Sequence, residues 1–211
     1  MAETLFRQWF IEEAKEEWMI GTVADIANHS KSSLQPKEHL NTQFFHYSIP
    51  SFDNGKNPVK EFGREIQSNK YIIPKNCILF SKLNPHKNKR IWLLQDEVQE
   101  NSICSTEFQI IKPKEVKMLY FLYGWLSFSD NYNEIASGVG GTSGSHQRID
   151  PDSIFSFQCP LISENYINNF NIQVRPIYKK QIVNQIQIQT LTTLRDTLLP
   201  KLMSGEITVK F

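Results

Sequence analysis

Residues 164–203 place the hardest constraint on how this chain folds. The stretch holds no glycine, and apolar residues return at three- and four-residue steps: Ile167, Phe170, Val174, Ile177, Ile182, Ile186, Leu191, Leu194 and Leu198, with Leu202 one turn further on. That periodicity is the stripe of an amphipathic helix. Ser163 is placed to cap it, Glu164 suits its positive end, and Gly205 can take the left-handed conformation that stops it. Pro176 is expected to kink or restart the helix, whereas Pro200 falls near its end, where one lost backbone bond matters least. About 40 residues at 1.5 Å each reach on the order of 60 Å. A compact domain of this size cannot cover that length, so part of the stripe should lie exposed and recruit another helix. Asn184 and Gln187, polar residues within the stripe, could set its register.

The remainder reads differently. The chain has 211 residues, 40% hydrophobic and 12% aromatic, enough for one packed domain with an extension. Residues 3–17 place Leu5, Phe6, Trp9 and Phe10 on one side with acids behind them, which predicts an amphipathic helix. Residues 71–81 and 105–113 are short runs rich in β-branched and aromatic residues, bounded by Pro, Asn and Lys, and predict strands. Residues 114–132 are too long and too apolar for a strand and predict one helix, and 137–149 form a Gly/Ser loop.

Several function classes are disfavoured. Cys77, Cys104 and Cys159 are odd in number and lack a C-x-x-C pair, which fits neither a disulfide framework nor a zinc ribbon and suggests a reducing compartment. The histidines His29, His39, His46, His86 and His146 lack metal-ligand spacing. Asp96, Glu97 and Glu100 form a loop-like acidic patch rather than a nuclease cluster, so a non-catalytic protein is expected. The longest apolar run, 118–128, is well short of the roughly 20 residues that span a bilayer, and the N-terminus has no apolar signal core. A cytoplasmic protein without a membrane partner is the expectation.

Two segments carry candidate binding chemistry. Residues 81–90, SKLNPHKNKR, hold Ser81, Lys82, Asn84, His86, Lys87, Lys89 and Arg90. On composition alone this is a solvated turn, with Asn84-Pro85 making the bend. Residues 140–148 present Thr142, Ser143, Ser145, His146, Gln147 and Arg148 behind close-approach glycines. No Gly-Lys-Ser/Thr follows those glycines, so an ATPase phosphate loop does not fit. Gln and Arg can read adenine and guanine, and hydroxyls can hold phosphate. The net charge is +1, so any nucleic-acid contact must rest on such local patches. "LNPH" (83–86) lacks the second proline and the aromatic of an adenine-methyltransferase motif.

The C-terminal LTTLRDTLLPKLMSGEI (191–207) resembles the distal conserved region of type I restriction-modification specificity subunits. LFRQWF (5–10) is similar to the end of their central conserved region, while 79–92, 105–111 and 141–149 resemble successive landmarks of a target recognition domain. The resemblance implies an α/β (α+β) target recognition domain followed by a long α-helical, coiled-coil conserved region. It places an amphipathic helix at 1–17, the recognition domain at 18–160 and the long helix at 161–211. A full subunit has two recognition domains and two such helical regions, so a half-length form is implied. The implied role is to read one half of a split site in double-stranded DNA. Lys31 and the residues named in 81–90 and 142–148 would contact the DNA. Ile177, Ile182, Ile186, Leu191, Leu194, Arg195, Leu198 and Leu202 would form the helix interface for a second copy and for DNA methyltransferase subunits, which bring the restriction subunit. S-adenosylmethionine, Mg2+ and ATP would belong to those partners, with no cofactor or metal in this chain. The alternative is a helix-mediated protein-interaction module that binds no DNA.

Overall fold

The computed structural model describes residues 1–96, 98–138 and 147–208. The chain opens with α1 (Ala2–Arg7), which runs into a wider helical turn at Gln8–Glu12. Then come β1 (Met19–Thr22), α2 (Val23–Ile26), β2 (Ala27–Ser30), β3 (Ser33–Leu34), β4 (Gln43–Tyr47), α3 (Ile49–Asp53), β5 (Val59–Phe62) and β6 (Lys70–Ile72). They are followed by β7 (Cys77–Ser81), β8 (Ile91–Leu94), β9 (Ser102–Ser105), β10 (Phe108–Pro113), α4 (Leu119–Ser127) and α5 (Ser129–Ser137). The chain ends with α6 (Pro151–Phe155), β11 (Gln158–Leu161) and α7 (Glu164–Met203).

Three layers organise these elements. A four-stranded antiparallel sheet, in the order β2-β10-β7-β8, lies between the helices and a five-stranded sheet in the order β3-β6-β9-β4-β5. The alternation of side chains along a strand explains the sandwich. Ile78 and Phe80 of β7, Ile91 of β8 and Ile111 of β10 face the helices. Cys77, Leu79, Trp92, Leu94, Phe108 and Ile110 face the other sheet. With both faces covered, all five residues of β7 are buried, which is why 77–81 reads as a continuous apolar run. All three cysteines are free and buried, and burial pushes the Cys77 and Cys159 thiols up to about 12. β1 pairs with β11, so the chain enters and leaves this body side by side.

The ends of the chain meet in one aromatic cluster. Phe6 and Phe10 are each 2% exposed. Phe10 packs 4.8 Å from both Phe121 of α4 and Phe170 of α7, and the Tyr166 hydroxyl donates to the Trp9 carbonyl at 3.0 Å. Gly124 of α4 lies directly under the Phe6 ring, where a Cβ would collide with it. The N-terminal helix is shorter than the expected 3–17 and ends at Glu12. Its widened last turn sets Trp9 and Phe10 together against Phe170.

The stretch 114–132 is not one helix. It starts with a short 3-10 turn at Val116–Met118 and breaks at Phe128, whose backbone is extended (φ −61°, ψ 134°). The break turns the Phe128 ring toward Phe6, 6.3 Å away. Tertiary packing overrides the local pattern there.

The 40-residue α7 begins after Ser163, whose hydroxyl makes no capping bond, and runs through both Pro176 and Pro200. Gly205 beyond it has φ +75°. Ile167, Phe170, Val174 and Tyr178 are buried against the domain, with Ile177 packed beside them. Ile182 is half-buried, and from Ile186 to Leu202 the apolar residues stand in solvent, Leu191 at 65% exposure. At 3.6 residues per turn the Leu191–Leu194–Leu198–Leu202 stripe is rotated by roughly a third of a turn from the face that packs on the domain. Ile182 and Ile186 lie on neither face by the same count, so the expected interface residues do not form one continuous line. Among the described residues, no helix is long and apolar enough to cross a membrane.

Candidate nucleic-acid interface

Two segments about sixty residues apart in sequence meet at one end of the four-stranded sheet. Where β7 ends, the chain leaves the sheet and residues 82–84 run beside 147–149. The Asn84 amide donates to the Gln147 carbonyl at 2.9 Å, the Ile149 amide donates to the Lys82 carbonyl at 3.0 Å, and Leu83 bridges to Arg148. The β9–β10 turn joins them, since the Lys82 amide donates to the Glu107 carbonyl at 3.0 Å. The Arg148 guanidinium donates to both Glu107 oxygens, at 3.0 and 2.8 Å. Residues 82–84, Glu107 and 147–149, drawn from three separate sequence landmarks, thus form one surface.

The hairpin between β7 and β8 is held rigidly. Asn84 has φ +47° and its carbonyl accepts from the Lys87 amide at 3.1 Å, closing the bend that Asn84-Pro85 predicts. The Tyr132 hydroxyl of α5 donates to the Pro85 carbonyl at 3.2 Å. Burial pushes that phenol up to about 12. The Lys89 ammonium donates to the Ser127 carbonyl at 2.5 Å and lies 5.7 Å from the Tyr132 ring. Arg90 is 7% exposed, and both of its arms reach the Asp53 carboxylate at 2.7 Å. A pinned loop presents its remaining side chains at low entropic cost.

The candidate residues therefore fall into distinct groups. Lys31, His86 and Lys87 are exposed, and Lys82, Asn84 and Gln147 are half-buried at the surface. Lys31 and Lys82 lie close enough to His29 to disfavour its charged form; burial of His29, stacked on Phe155, is the larger cause. Ser81 is turned inward at 1% exposure, and its hydroxyl accepts from the Leu83 amide. Arg90 is committed to Asp53, while Lys89 and Arg148 are exposed yet already bonded within the chain. Thr142, Ser143, Ser145 and His146 lie outside the described residues. The residues that sequence reading missed are the partners, Asp53, Glu107 and Tyr132. Glu107 falls within the 105–111 landmark, but nothing in the run marks it as the partner of Arg148, and Asp53 and Tyr132 are too far along the chain from the loop they hold to leave a periodic or motif signal.

The assembled surface offers ammonium, imidazole and amide groups at the lip of a rigid sheet. That set suits phosphate oxygens and base edges. No metal cluster of His, Cys, Asp and Glu occurs among the described residues.

Comparison with known proteins gives a consistent context. No family model matches the chain. Over its whole length it is 26% identical to 53% of the type I restriction enzyme MjaIX specificity subunit of Methanocaldococcus jannaschii. In fold it is similar to the HsdS subunit from Thermoanaerobacter tengcongensis, with a TM-score of 0.57 at 18% identity over 87% of this chain and 47% of that one. It is also similar to the S subunit of the type I restriction-modification system of M. genitalium, with a TM-score of 0.56 at 15% identity over 89% of this chain and 46% of that one. A chain solved in a study of complex assembly and conformational transition of the type I system matches at 0.59 with 18% identity, over 90% of this chain and 49% of that one. The chain spans about half the length of these relatives. It has the fold of one mixed-sheet domain followed by a long helix.

Proposed function

We propose that this chain is a half-length specificity subunit of a type I restriction-modification system, a non-catalytic module that reads one half of a split DNA site. The likeness along the whole chain to half of a specificity subunit supports the reading. The observation that carries it to this site is the main-chain pairing of residues 82–84 with 147–149, which joins both candidate loops on one rigid face. On this reading Lys31, Lys82, His86 and Lys87 hold phosphates and fix register, while Gln147 and neighbouring residues meet base edges.

Targeting is the mechanism. The domain holds methyltransferase subunits, and through them the restriction subunit, at a defined sequence. S-adenosylmethionine, Mg2+ and ATP would be bound by those partners. The exposed leucine stripe of α7 is the docking surface, and a second copy of the chain is one occupant: a self-complementary patch closes about a two-fold axis. Two recognition domains would then sit at opposite ends of a rod on the order of 60 Å long and read a palindromic split site.

An electrophoretic shift across random-sequence duplexes, with the partner methyltransferase present, tests the reading. Retention of a subset sharing one sequence is expected. Assembly with the methyltransferase but no shift on any duplex would leave the exposed stripe as the whole function, that of an interaction module.

A further inference from the structure

Behind the 82–90 hairpin lies an open cleft of about 460 Å3, walled by Asp53, Lys56, Asn88, Lys89, Arg90 and Gln185. Its charge is unbalanced. Three cations face a single carboxylate, leaving a net charge of +2, and that carboxylate is taken up by Arg90. The Lys56 ammonium lies 4.7 Å from the centre of the Phe52 ring, and Lys89 donates to a backbone carbonyl. Neither lysine meets a carboxylate among the described residues. Gly55 and Lys56 both take left-handed backbone angles (φ +90° and +55°), which turns the loop back toward the hairpin. Gln185 of α7 donates to the Gly55 carbonyl at 2.5 Å, so the cleft sits where the domain meets the helix. Partial desolvation of the ammonium within the cleft and, second, the nearby Lys89 lower the Lys56 pKa, although the residue as a whole is exposed.

Resting on the DNA-binding reading above, we propose that this cleft is a second phosphate site, in which Lys56 and Lys89 take a backbone phosphate of the duplex contacted by the hairpin. Two ammonium groups supply donors to an oxyanion without needing fixed geometry, and Lys89, which gives one of its three N–H groups to the Ser127 carbonyl, keeps two for a ligand. The cleft is too open to retain a small free anion on two flexible side chains. A phosphate within a polymer arrives tethered at high effective concentration and releases counterions as it binds. His86 and Lys87, both exposed, belong to the same hairpin as Lys89. Gln185 acts as a positioning residue by holding the Gly55–Lys56 turn.

Fluorescence anisotropy with a random-sequence duplex of about 30 base pairs, titrated at several salt concentrations with the full chain and its methyltransferase, is the test. Lys56→Ala is expected to flatten the log–log salt slope by about one unit, so the affinity lost between 50 and 200 mM salt shrinks about 3.5-fold. The double variant Lys56→Ala/Lys89→Ala, which removes the same single phosphate contact, should flatten it by no more than about one unit in total, and Lys56→Arg should restore it. Circular dichroism melting confirms that the variants fold, and Lys56, being exposed, can be read alone if Lys89 is needed for packing. A wild-type slope in Lys56→Ala, with wild-type binding intact, overturns the cleft but not the DNA reading. Absence of duplex binding by the wild type overturns both. Weakened methyltransferase assembly in Lys56→Glu with an unchanged duplex titration would reassign the cleft to an acidic protein surface.

Discussion

Replacing Arg90 by alanine distinguishes a structural role from a DNA contact, because the two assign its guanidinium to different partners. Arg90 is 7% exposed and gives two hydrogen bonds of 2.7 Å to Asp53. Breaking a fully buried pair costs about 3–5 kcal/mol. The Asp53 side chain is 47% exposed, so water resolvates the carboxylate and most of that penalty disappears. With the lost packing of the arginine stem, about 1–2 kcal/mol remains. Against a typical stability of about 5–15 kcal/mol the variant stays folded. Denaturant unfolding of Arg90→Ala, Asp53→Ala and the double variant should give a coupling of about 1 kcal/mol. Acid adds a second readout. Hydrogen bonding to Arg90 holds the Asp53 carboxyl below its usual 3.8. A depressed carboxyl contributes stability above its unfolded pKa and loses it as pH falls through the lower folded value, so the acid limb below about pH 4 should flatten in Arg90→Ala. The salt slope of duplex binding should stay at the wild-type value in the double variant, in which no freed carboxylate faces Lys56 and Lys89. Wild-type stability of Arg90→Ala, with a salt slope that drops by about one unit in the double variant as well, would refute this reasoning and return Arg90 to the DNA surface.

The remaining predictions concern other parts of the chain. Gly124→Ala forces a methyl into the Phe6 ring and should destabilise the protein by about 1–3 kcal/mol despite the better helix propensity of alanine, measured by denaturant unfolding. Lys82→Ala and Lys87→Ala should each flatten the salt slope by about one unit across all sequences, whereas Gln147→Ala should relax preference at one position by about 1–3 kcal/mol, both read by duplex titration. Leu194→Asp/Leu198→Asp, or charge reversal at Arg195 and Asp196, should reduce self-association in light scattering and assembly with the methyltransferase. Both should leave the melting of the domain unchanged, because the leucines lie beyond its core. Burial lowers the pKa of His46 from 6.5 even though Glu61 accepts a bond from its ring. The unfolded state therefore takes up a proton that the native state resists, and stability should fall as pH drops below about 6.5; His46→Gln should reduce that fall in a pH series of thermal melts.

The sequence by itself determined the features carried by local periodicity. The extent of α7 and the apolar face of the N-terminal helix are 3.6-residue repeats written in consecutive positions, and the apolar runs read as strands, 71–81 and 105–113, contain β7 and β10, although the first of them breaks between β6 and β7, where Asn76 has φ +55°. The resemblance to specificity subunits was legible for the same reason, since its motifs are contiguous runs. Tertiary structure alone decided what depends on residues distant in the chain. Phe128 breaks a helix because its ring joins a cluster seeded by Phe6, and only the first third of α7 is buried because the domain ends there. The same holds for the candidate site. Composition shows that 81–90 and Arg148 are basic, but whether a guanidinium is available or spent depends on Asp53 and Glu107, carboxylates that folding brings in from elsewhere. Lys56 drew no notice in the sequence because one lysine in a loop carries no pattern. It becomes a candidate only where the fold sets it against Lys89 beside a carboxylate already neutralised, since electrostatic energy follows distance in space rather than separation along the chain.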